Sequence, residues 1–418
     1  MKLPWRLKLS RPAERPFLVL DLGTARVKAA VLRVKKEGPE EQNHLVIEEK
    51  GEASPLHLEV LGAAEQKHGQ HSFRGRRPQQ LDAVLETTSL AVEKASLEAG
   101  INPRRAVFLA SGLIRIINTK VKLQRTDPKK PIREGELDRI LQEVEQRVHP
   151  AAEKKAILKL GPTKEENSTP LRLKVKSNNF YLDGKSLSSP LEFSGRELRL
   201  TFSEEFCSRE EKEILEELAA NLGLEVFHWS SPALSAISFL RNFYPRGIIV
   251  DIGGNFTEVT LFYPEQIEGG AGFNWGSEHL NWLLMREFDL TLDQSEKLKQ
   301  AWADNKLERD KENQLKGILK YWLQILFLGL EEALGDLASG QSLPEHFLLC
   351  GGGSFIPHLR SAFLAYPWNK NLNFAVFPKP HLIQPLNHNF IRGRRTRLNN
   401  PAWTGVVGAA IEKGDERT

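Results

Sequence analysis

One local pattern occurs twice in this chain, and it constrains the fold more than any other feature of the sequence. Residues 17–34 and residues 247–263 each read as an apolar, β-branched strand, a tight turn built on Asp-x-Gly, and a second apolar strand. Apolar runs that alternate with glycine turns are typical of paired β-strands. Two copies of one such unit, far apart in the chain, predict two similar α/β domains.

The chain is long enough for two such domains. Its 418 residues exceed the size at which a single hydrophobic core stops growing. With 40% apolar and 27% charged residues, it has the composition of a soluble globular protein. No window approaches the roughly 20 apolar residues of a membrane-spanning helix, and the first residues lack the apolar core of a signal peptide. We therefore expect a cytoplasmic location.

Cysteine content and charge exclude several classes of site. Cys207 and Cys350 lie far apart, which predicts two buried thiols and neither a disulfide framework nor a zinc site. The net charge of +4 is too small to indicate a nucleic-acid partner. The basic clusters at 74–77 and 392–397 also lack interleaved aromatic residues, so we expect no nucleic-acid binding.

Some histidine and aromatic residues invite a functional interpretation that the pattern does not favour. His68 and His71 stand three residues apart in a polar loop, where we expect ordinary surface histidines rather than metal ligands. Tyr321, Trp322 and Phe327 follow helical spacing and are predicted to lie in the core.

The rest of the sequence divides the chain further. Strand-like runs around one helical pattern at 134–148 predict an inserted α+β subdomain, and strand-like residues 45–48 extend the first sheet. A helical repeat at 79–99 stops at Gly100. The predicted organisation is a basic N-terminal tail (1–16), domain 1 in two parts (17–105, and 205–245 with a connecting helix), the inserted subdomain (106–204), domain 2 (246–384) with a helical subdomain (271–343), and a segment that closes domain 1 (385–418).

Three glycine-containing turns carry the candidate chemistry, and each follows an apolar strand. They are Asp21-Leu-Gly23-Thr24, Asp251-Ile-Gly253-Gly254 and the run of three glycines and a serine at 351–354. Turns without Cβ atoms let backbone N–H groups reach phosphate oxygens. Aspartates at strand ends can hold the water shell of a Mg²⁺ ion. Thr24 adds a hydroxyl donor. Lys28 adds a point charge if its side chain faces the turn, whereas alternation along the second strand would equally leave it in solvent. Together the three turns predict a nucleotide site.

The order of these turns resembles that of the actin and heat-shock ATPase superfamily, in which two similar α/β domains hold ATP. Within the superfamily, the sequence is similar to the bacterial cell-division family FtsA. The likeness spans about 17–411 and is carried by LVLDLGTARVKAAVL, SPALSAISFL, GGGSFIPHL and NPAWTGVVGAAI. It implies the fold class α/β, an actin-like two-domain ATPase fold of ribonuclease-H-like duplicated domains with an inserted α+β subdomain.

The same resemblance implies which residues bind ATP and Mg²⁺. Asp21 and Asp251 would hold the metal ion, and Glu278 and Lys297 would lie near the base and ribose. The implied nucleotide-binding residues are Asp21, Gly23 and Thr24 in the phosphate-1 loop; Asp251, Gly253, Gly254 and Thr257 in the phosphate-2 loop; Gly276 beside the ribose; and Gly351, Gly352, Gly353 and Ser354 in the adenosine loop. From the residues themselves we add Lys28 and Asn255 to the predicted site.

Departures from the family pattern bear on hydrolysis. Asn255 and Phe256 stand where the phosphate-2 loop normally has a glycine and a small hydroxyl residue, and Glu258 stands where it has Asp. Ser231 precedes the connecting helix, where family members often carry an acidic or amide side chain that orients the attacking water. We therefore expect nucleotide binding with slow or absent hydrolysis, and at most a weak ATPase activity.

The FtsA resemblance implies a scaffold or adaptor that links a tubulin-like division protein to membrane division proteins and can self-associate into filaments. An alternative is a PilM-like cytoplasmic adaptor of type IV pilus or competence machinery, which shares the loops and the insert. A metabolic kinase on the same fold is a third interpretation, although no catalytic base between the domains is evident. A chaperone ATPase is a fourth, which lacks a candidate peptide-binding domain after residue 411.

Both adaptor interpretations place the protein at the inner face of the cell membrane. FtsA proteins usually end in an amphipathic targeting helix, whereas this sequence ends shortly after the predicted closing helix. Membrane contact is then expected through a partner, or through the basic segment at 1–11, which contains Trp5.

Overall fold

The computed structural model describes residues 15–36, 56–160, 170–264, 266–338, 340–385, 391–394 and 398–415. The predicted strand at 45–48 and nearly all of the predicted tail at 1–16 lie outside these residues.

The first sheet combines an antiparallel meander with parallel strands. Its members are β1 (Phe17–Leu22), β2 (Arg26–Lys36), β3 (Leu56–Lys67), β6 (Arg105–Ala110), β11 (Glu225–Ser230) and β17 (Ile391–Gly393). The strand order is β11-β6-β1-β2-β3-β17, with β6 parallel to β1 and β2 antiparallel to it. A short hairpin of β4 (Phe73–Arg74) and β5 (Arg77–Pro78) precedes helix α1 (Leu81–Ala99), which ends at Gly100 with φ 68°, as the sequence predicts.

The second sheet repeats the arrangement of the first. It contains β12 (Gly247–Ile252), β13 (Thr257–Phe262), β14 (Ile267–Phe273), β15 (His346–Cys350) and β16 (Lys379–Leu382), in the order β14-β13-β12-β15-β16. Again the first three strands form an antiparallel meander and the last two are parallel to its first strand. The predicted duplication of one α/β unit is therefore confirmed.

Helices cover both faces of the two sheets. Between the sheets lie α4 (Pro232–Leu240) and α9 (Thr404–Asp415), whose buried residues share one core with Val19 of β1 and Ile249 of β12. The outer face of the first sheet packs against α1 and α3 (Arg209–Asn221). The outer face of the second packs against the layer of α5 (Ser277–Phe288), α6 (Leu292–Ala303), α7 (Arg309–Ala338) and α8 (Leu359–Ala365).

The inserted subdomain is a separate sheet covered by one long helix. It contains β7 (Arg115–Gln124), α2 (Glu134–Leu160), β8 (Leu171–Leu182), β9 (Lys185–Leu187) and β10 (Glu197–Cys207), in the order β7-β10-β8-β9. Strand β6 pairs with β1 and β11, so the predicted boundary at residue 106 is too early. The boundary at 204 also falls within β10. A central parallel strand reads like any apolar run, and only its distant partners assign it to a sheet.

Burial corrects two of the residue-level predictions. Trp322 and Phe327 are buried as predicted, whereas Tyr321 is 53% exposed. His68 is buried against Phe73 rather than lying on the surface. Both cysteines are buried free thiols. Among the described residues, no helix is long and apolar enough to cross a membrane.

The close packing of α9 on α4 predicts opposite effects for one substitution at two glycines. A Cβ at Gly408 would lie 2.5 Å from the carbonyl carbon of Ser235, whereas a Cβ at Gly335 on α7 meets no atom within 4 Å. We expect Gly408→Ala to lower the free energy of unfolding by about 1–3 kcal/mol through overpacking. Gly335→Ala should raise it by about 0.5–1 kcal/mol. Urea denaturation measures both, and equal effects at the two positions would contradict this packing.

Candidate functional site

The three glycine turns meet at one cleft between the two duplicated domains. We call residues 21–25 the first turn, 251–256 the second turn and 351–354 the third turn. Residues of all three line a cavity of about 330 Å³, together with the start of α5, one face of α6 and the segment 400–402. A cavity of this size, open at a domain boundary, is typical of a small-molecule site.

A buried ion pair lies at the floor of the cleft. Asp21 lies one residue before the end of β1, directly opposite Lys28 of β2, and Lys28 Nζ contacts Asp21 Oδ2 at 2.6 Å. Burial lowers the pKa of Lys28, but the negative charges of Asp21 and, further away, Asp251 outweigh it, so the net shift is upward. Asp21 Oδ1 is buried and has no hydrogen-bond partner among the described residues. That oxygen can therefore accept a hydrogen bond from a ligand or from water on a cation.

The second aspartate of the cleft, Asp251, has a raised pKa. Burial, and then the nearby charges of Asp21 and Glu258, raise the pKa of Asp251 to about 7. Two carboxylates that face the same cavity repel each other, and a divalent cation between them would relieve the repulsion. The described residues contain no cluster of three side chains that could hold a metal ion alone. A Mg²⁺ ion here would therefore take most of its ligands from phosphate oxygens and water.

The first and second turns contact each other across the cleft. The backbone N–H of Asn255 donates to Thr24 Oγ1 at 2.8 Å. A Cβ at Gly254 would lie 2.5 Å from the Cβ of Ala25, so only glycine allows this approach. The hydroxyl proton of Thr24 remains available to a ligand, because the oxygen accepts in this contact.

The third turn depends on glycine for its conformation. Gly351 has φ 80°, and a Cβ there would collide with the carboxylate of Asp251 and the carbonyl of Ile252. Its N–H donates to the carbonyl of Pro401 at 3.1 Å, which joins the turn to the segment before α9. A Cβ at Gly352 meets no atom within 4 Å, because this residue faces the open cavity.

The structure separates the predicted nucleotide-binding residues into two groups. Those that line the cavity are Asp21, Gly23, Thr24, Lys28, Asp251, Gly253, Gly254, Gly351 and Gly352. Those that lie behind it are Asn255, Thr257, Gly276, Gly353 and Ser354. In the second group, Thr257 donates its hydroxyl to the Trp275 carbonyl at 2.6 Å and Ser354 donates to the Gly351 carbonyl at 2.7 Å. These hydroxyls hold the loops together rather than facing the cavity.

Helix α6 supplies a wall of the cleft that the sequence prediction missed. Glu296, Lys299 and Gln300 line the cavity, whereas the predicted Lys297 does not. The spacing i, i+3, i+4 marks one face of a helix, and this signal was present in the sequence. Glu278, at the start of α5, also lines the cavity, as does Phe355, which is 44% exposed.

Besides Asn255, three side chains depart from the family pattern, and none of them lines the cavity. Ser231 Oγ accepts from the N–H of Leu234 and caps α4. Burial raises the pKa of Glu258, although hydrogen bonds from Ser231 and from the backbone of Gly112 partly oppose the shift. Phe256 is 5% exposed and packs beneath the second turn. None of the three lines the cavity.

Several solved structures superpose on this protein. The chain superposes on a structure described as a PilM–PilN type IV pilus biogenesis complex with a TM-score of 0.61 and 14% identity, over 96% of this chain and 99% of that one. It also matches the ethanolamine utilization protein EutJ from Carboxydothermus hydrogenoformans (TM-score 0.48, 12% identity, 95% and 89% covered). A third match is MreB5 of Spiroplasma citri bound to ADP (TM-score 0.49, 12% identity, 97% and 98% covered).

No protein-family model matches the sequence, and no curated protein is significantly similar to it. The superposition on PilM extends over nearly the whole of both chains, and the two sheets have the same strand order. The protein therefore has the two-domain α/β fold of the actin-like ATPase superfamily, with an inserted α+β subdomain.

The charge of Asp251 predicts a pH-dependent stability for the protein without ligand. Its pKa is about 7 in the folded protein, while an unfolded aspartate titrates near ~3.9. Between these values the folded protein keeps a proton that the unfolded chain has released, so the free energy of unfolding falls as the pH rises. Asp251→Asn removes this decrease in the free energy of unfolding, because asparagine does not titrate. The variant should gain about 1–3 kcal/mol over wild type between about pH 5 and pH 8 in urea denaturation. If the free energies of unfolding of the variant and of wild type change with pH in parallel, the prediction is wrong.

Proposed function

We propose that this protein binds ATP with Mg²⁺ in the cleft and acts as a cytoplasmic adaptor, with slow or absent hydrolysis. The observation that carries the proposal is the pair of buried aspartates, Asp21 and Asp251, which face one cavity from two domains beside Lys28. An unpaired carboxylate oxygen, a charged lysine and glycine turns together provide partners for a metal–phosphate group.

Each group has a defined part in binding. The ammonium of Lys28 offers a point charge to phosphate. The carboxylates of Asp21 and Asp251 accept hydrogen bonds from water on the cation. A Mg²⁺ ion supplies the positive charge that offsets both carboxylates. A ligand that contacts turns from both domains holds them together, and binding at 100 times Kd stabilises that state by about 2.7 kcal/mol.

The surroundings of the cleft support slow hydrolysis. A general base or a water-orienting side chain must lie within hydrogen-bond reach of the attacking water. Ser231 caps α4 instead, and Phe256 carries no hydrogen-bonding side-chain group and is buried away from the cavity. ATP would then hold two domains together and would not be consumed in each working cycle.

Of the two adaptor interpretations, we propose the PilM-like one. One solved structure that the chain matches, with a TM-score of 0.61, is described as a PilM–PilN type IV pilus biogenesis complex. In the basic segment at 74–77, Arg76 and Arg77 pair with Glu211 inside this protein, so they do not form a basic surface for a partner. We therefore propose a membrane-associated adaptor of pilus or competence machinery whose inserted subdomain contacts its partner. An FtsA-like role in division, with self-association into filaments, is the second candidate.

Binding of a fluorescent ATP analogue tests the nucleotide proposal. Wild type should bind with Mg²⁺ dependence. Gly352→Asp places a carboxylate in the cavity without steric conflict, and it should weaken binding at least ~10-fold through repulsion of the phosphates. Asp21→Asn, which keeps the size of the side chain, should reduce the dependence on Mg²⁺.

Gly135→Asp is the matched control for the added charge. Gly135 lies in the first turn of α2, a Cβ there meets no atom within 4 Å, and an acidic residue suits a helix N-terminus. It should bind the analogue like wild type. If wild type fails to bind, or if both glycine variants lose binding equally, the nucleotide proposal is wrong.

A pull-down separates the two partner classes. Immobilised peptides from the N-terminus of the pilus inner-membrane partner and from the C-terminus of the tubulin-like division protein are offered to the purified full chain. We expect retention by the pilus peptide alone, in the presence of Mg²⁺ and ATP. Retention by the division peptide alone would favour the FtsA-like role and would contradict the PilM-like one.

A further inference from the structure

Phe256 makes a contact that the pattern of the second turn does not require. Its ring packs on Gly112, in the loop between β6 and β7, and on Gly272 of β14. Gly112 has φ 66°, and a Cβ there would lie 2.8 Å from Phe256 Cε1. The backbone conformation and the ring both demand glycine at this position. The second turn of domain 2 is thus packed directly against the loop that leads from domain 1 into the inserted subdomain.

Arg76 holds that loop from the other side. Its guanidinium carbon lies 6.0 Å from the centroid of the Phe256 ring, at the limit of a cation–π contact. Nη1 donates to the carbonyl of Gly112 and also pairs with Glu211 Oε2 at 2.9 Å. Arg76 is nearly buried, with 14% of its side chain exposed, so these contacts are shielded from solvent.

Gly112 and Glu211 mark the two places where the chain enters and leaves the inserted subdomain. Gly112 lies three residues before β7 begins, and Glu211 lies in the first turn of α3, directly after β10. We call residues 111–115 and 208–211 the root of the inserted subdomain. Arg115, the first residue of β7, donates to the same Gly112 carbonyl at 2.8 Å. Arg76 therefore links the two segments of the root, 111–115 and 208–211. The ring of Phe256 packs on Gly112, where Arg76 is bound.

The charges around the root are buried and mutually dependent. Burial, and then the charge of Arg76, lower the pKa of Arg115 to about 10, while Glu258 and Glu211 oppose that shift. Glu258 lies on β13, two residues beyond the end of the second turn, and accepts from the N–H of Gly112. If the root and the second turn moved apart, buried charges of this network would lose their partners, which is unfavourable. The two segments are therefore expected to move together.

We infer that the second turn, through Phe256, couples nucleotide in the cleft to the inserted subdomain. The inference rests on the proposed function, since it takes the cleft to hold ATP. Gly254 lines the cavity and Phe256 follows two residues later in the same turn. Any shift of the turn on binding therefore changes the contact with Gly112 and Arg76. The subdomain proposed to contact the partner then differs between the free and the nucleotide-bound protein.

A second contact between domain 2 and the insert offers a competing route. Asn118 on β7 donates to the carbonyls of Ile267 and Glu268 at 2.8 and 3.0 Å. Asn179 on β8 donates to Gln266 Oε1 at 2.7 Å. A rotation of domain 2 would move these contacts as well. The experiment must therefore distinguish the root from the β14 contact.

Hydrogen–deuterium exchange of the full chain, with and without Mg²⁺ and a non-hydrolysable ATP analogue, tests the coupling. We expect slower exchange in the cleft turns and, at a distance from them, in β7 and β10. The change in β7 and β10 should be on the order of tenfold, within the usual range of coupling between sites. Protection of the cleft turns reports binding itself, so an absence there contradicts the proposed function. Protection confined to the cleft contradicts only the coupling.

Variants outside the cavity locate the route. Arg76→Gln and Phe256→Leu should each retain cleft protection and lose the change in β7 and β10. Arg74→Gln, on the exposed side of the same hairpin, is the matched control and should behave like wild type. Asn118→Ala should also keep the change. The inference is overturned if the change survives both Arg76→Gln and Phe256→Leu, or if Asn118→Ala alone removes it. Thermal unfolding checks that each variant is folded, and the use of two variants guards against the failure of one to fold.

Discussion

The repulsion between two buried aspartates is the constraint on which the cleft depends. Asp21 and Asp251 end equivalent strands of the two duplicated sheets, and the strand order brings both carboxylates to one cavity. Lys28 compensates one of them, while burial and then the charges of Asp21 and Glu258 raise the pKa of Asp251. A protein that keeps two such carboxylates together carries an unfavourable term in its free state, and a bound cation removes it.

The sequence predicts the parts of this structure that are set locally. The Asp-x-Gly turns, the helix that stops at Gly100 and the strand His346–Cys350 follow from short patterns of glycine, apolar and β-branched residues. Because the pattern occurs twice, it also predicts the duplication. The cleft follows from the duplication, since equivalent strand ends of two facing sheets lie opposite each other.

Features that depend on contacts between residues far apart in the chain could not be predicted from the sequence. Strand β6 reads as one more apolar run near the insert, and only its pairing with β1 and β11 places it in the first sheet. His68 stands in a polar loop, yet the hairpin with Phe73 covers it. The sequence marks Phe256 as out of place in its turn but does not show that Gly112, far away in the chain, leaves space for the ring.

The position of α9 has a consequence for how the chain reaches this structure during synthesis. Residues of domain 2 run without interruption from 247 to 382, so its core can form as soon as that stretch is available. Domain 1 is built from both ends of the chain, because Val406, Val407 and Ala410 of α9 fill the core beneath β1 to β3. Domains generally fold in the order in which they are made. Here the domain that begins first is completed last, after its neighbour, with the first sheet exposed on one face until α9 arrives.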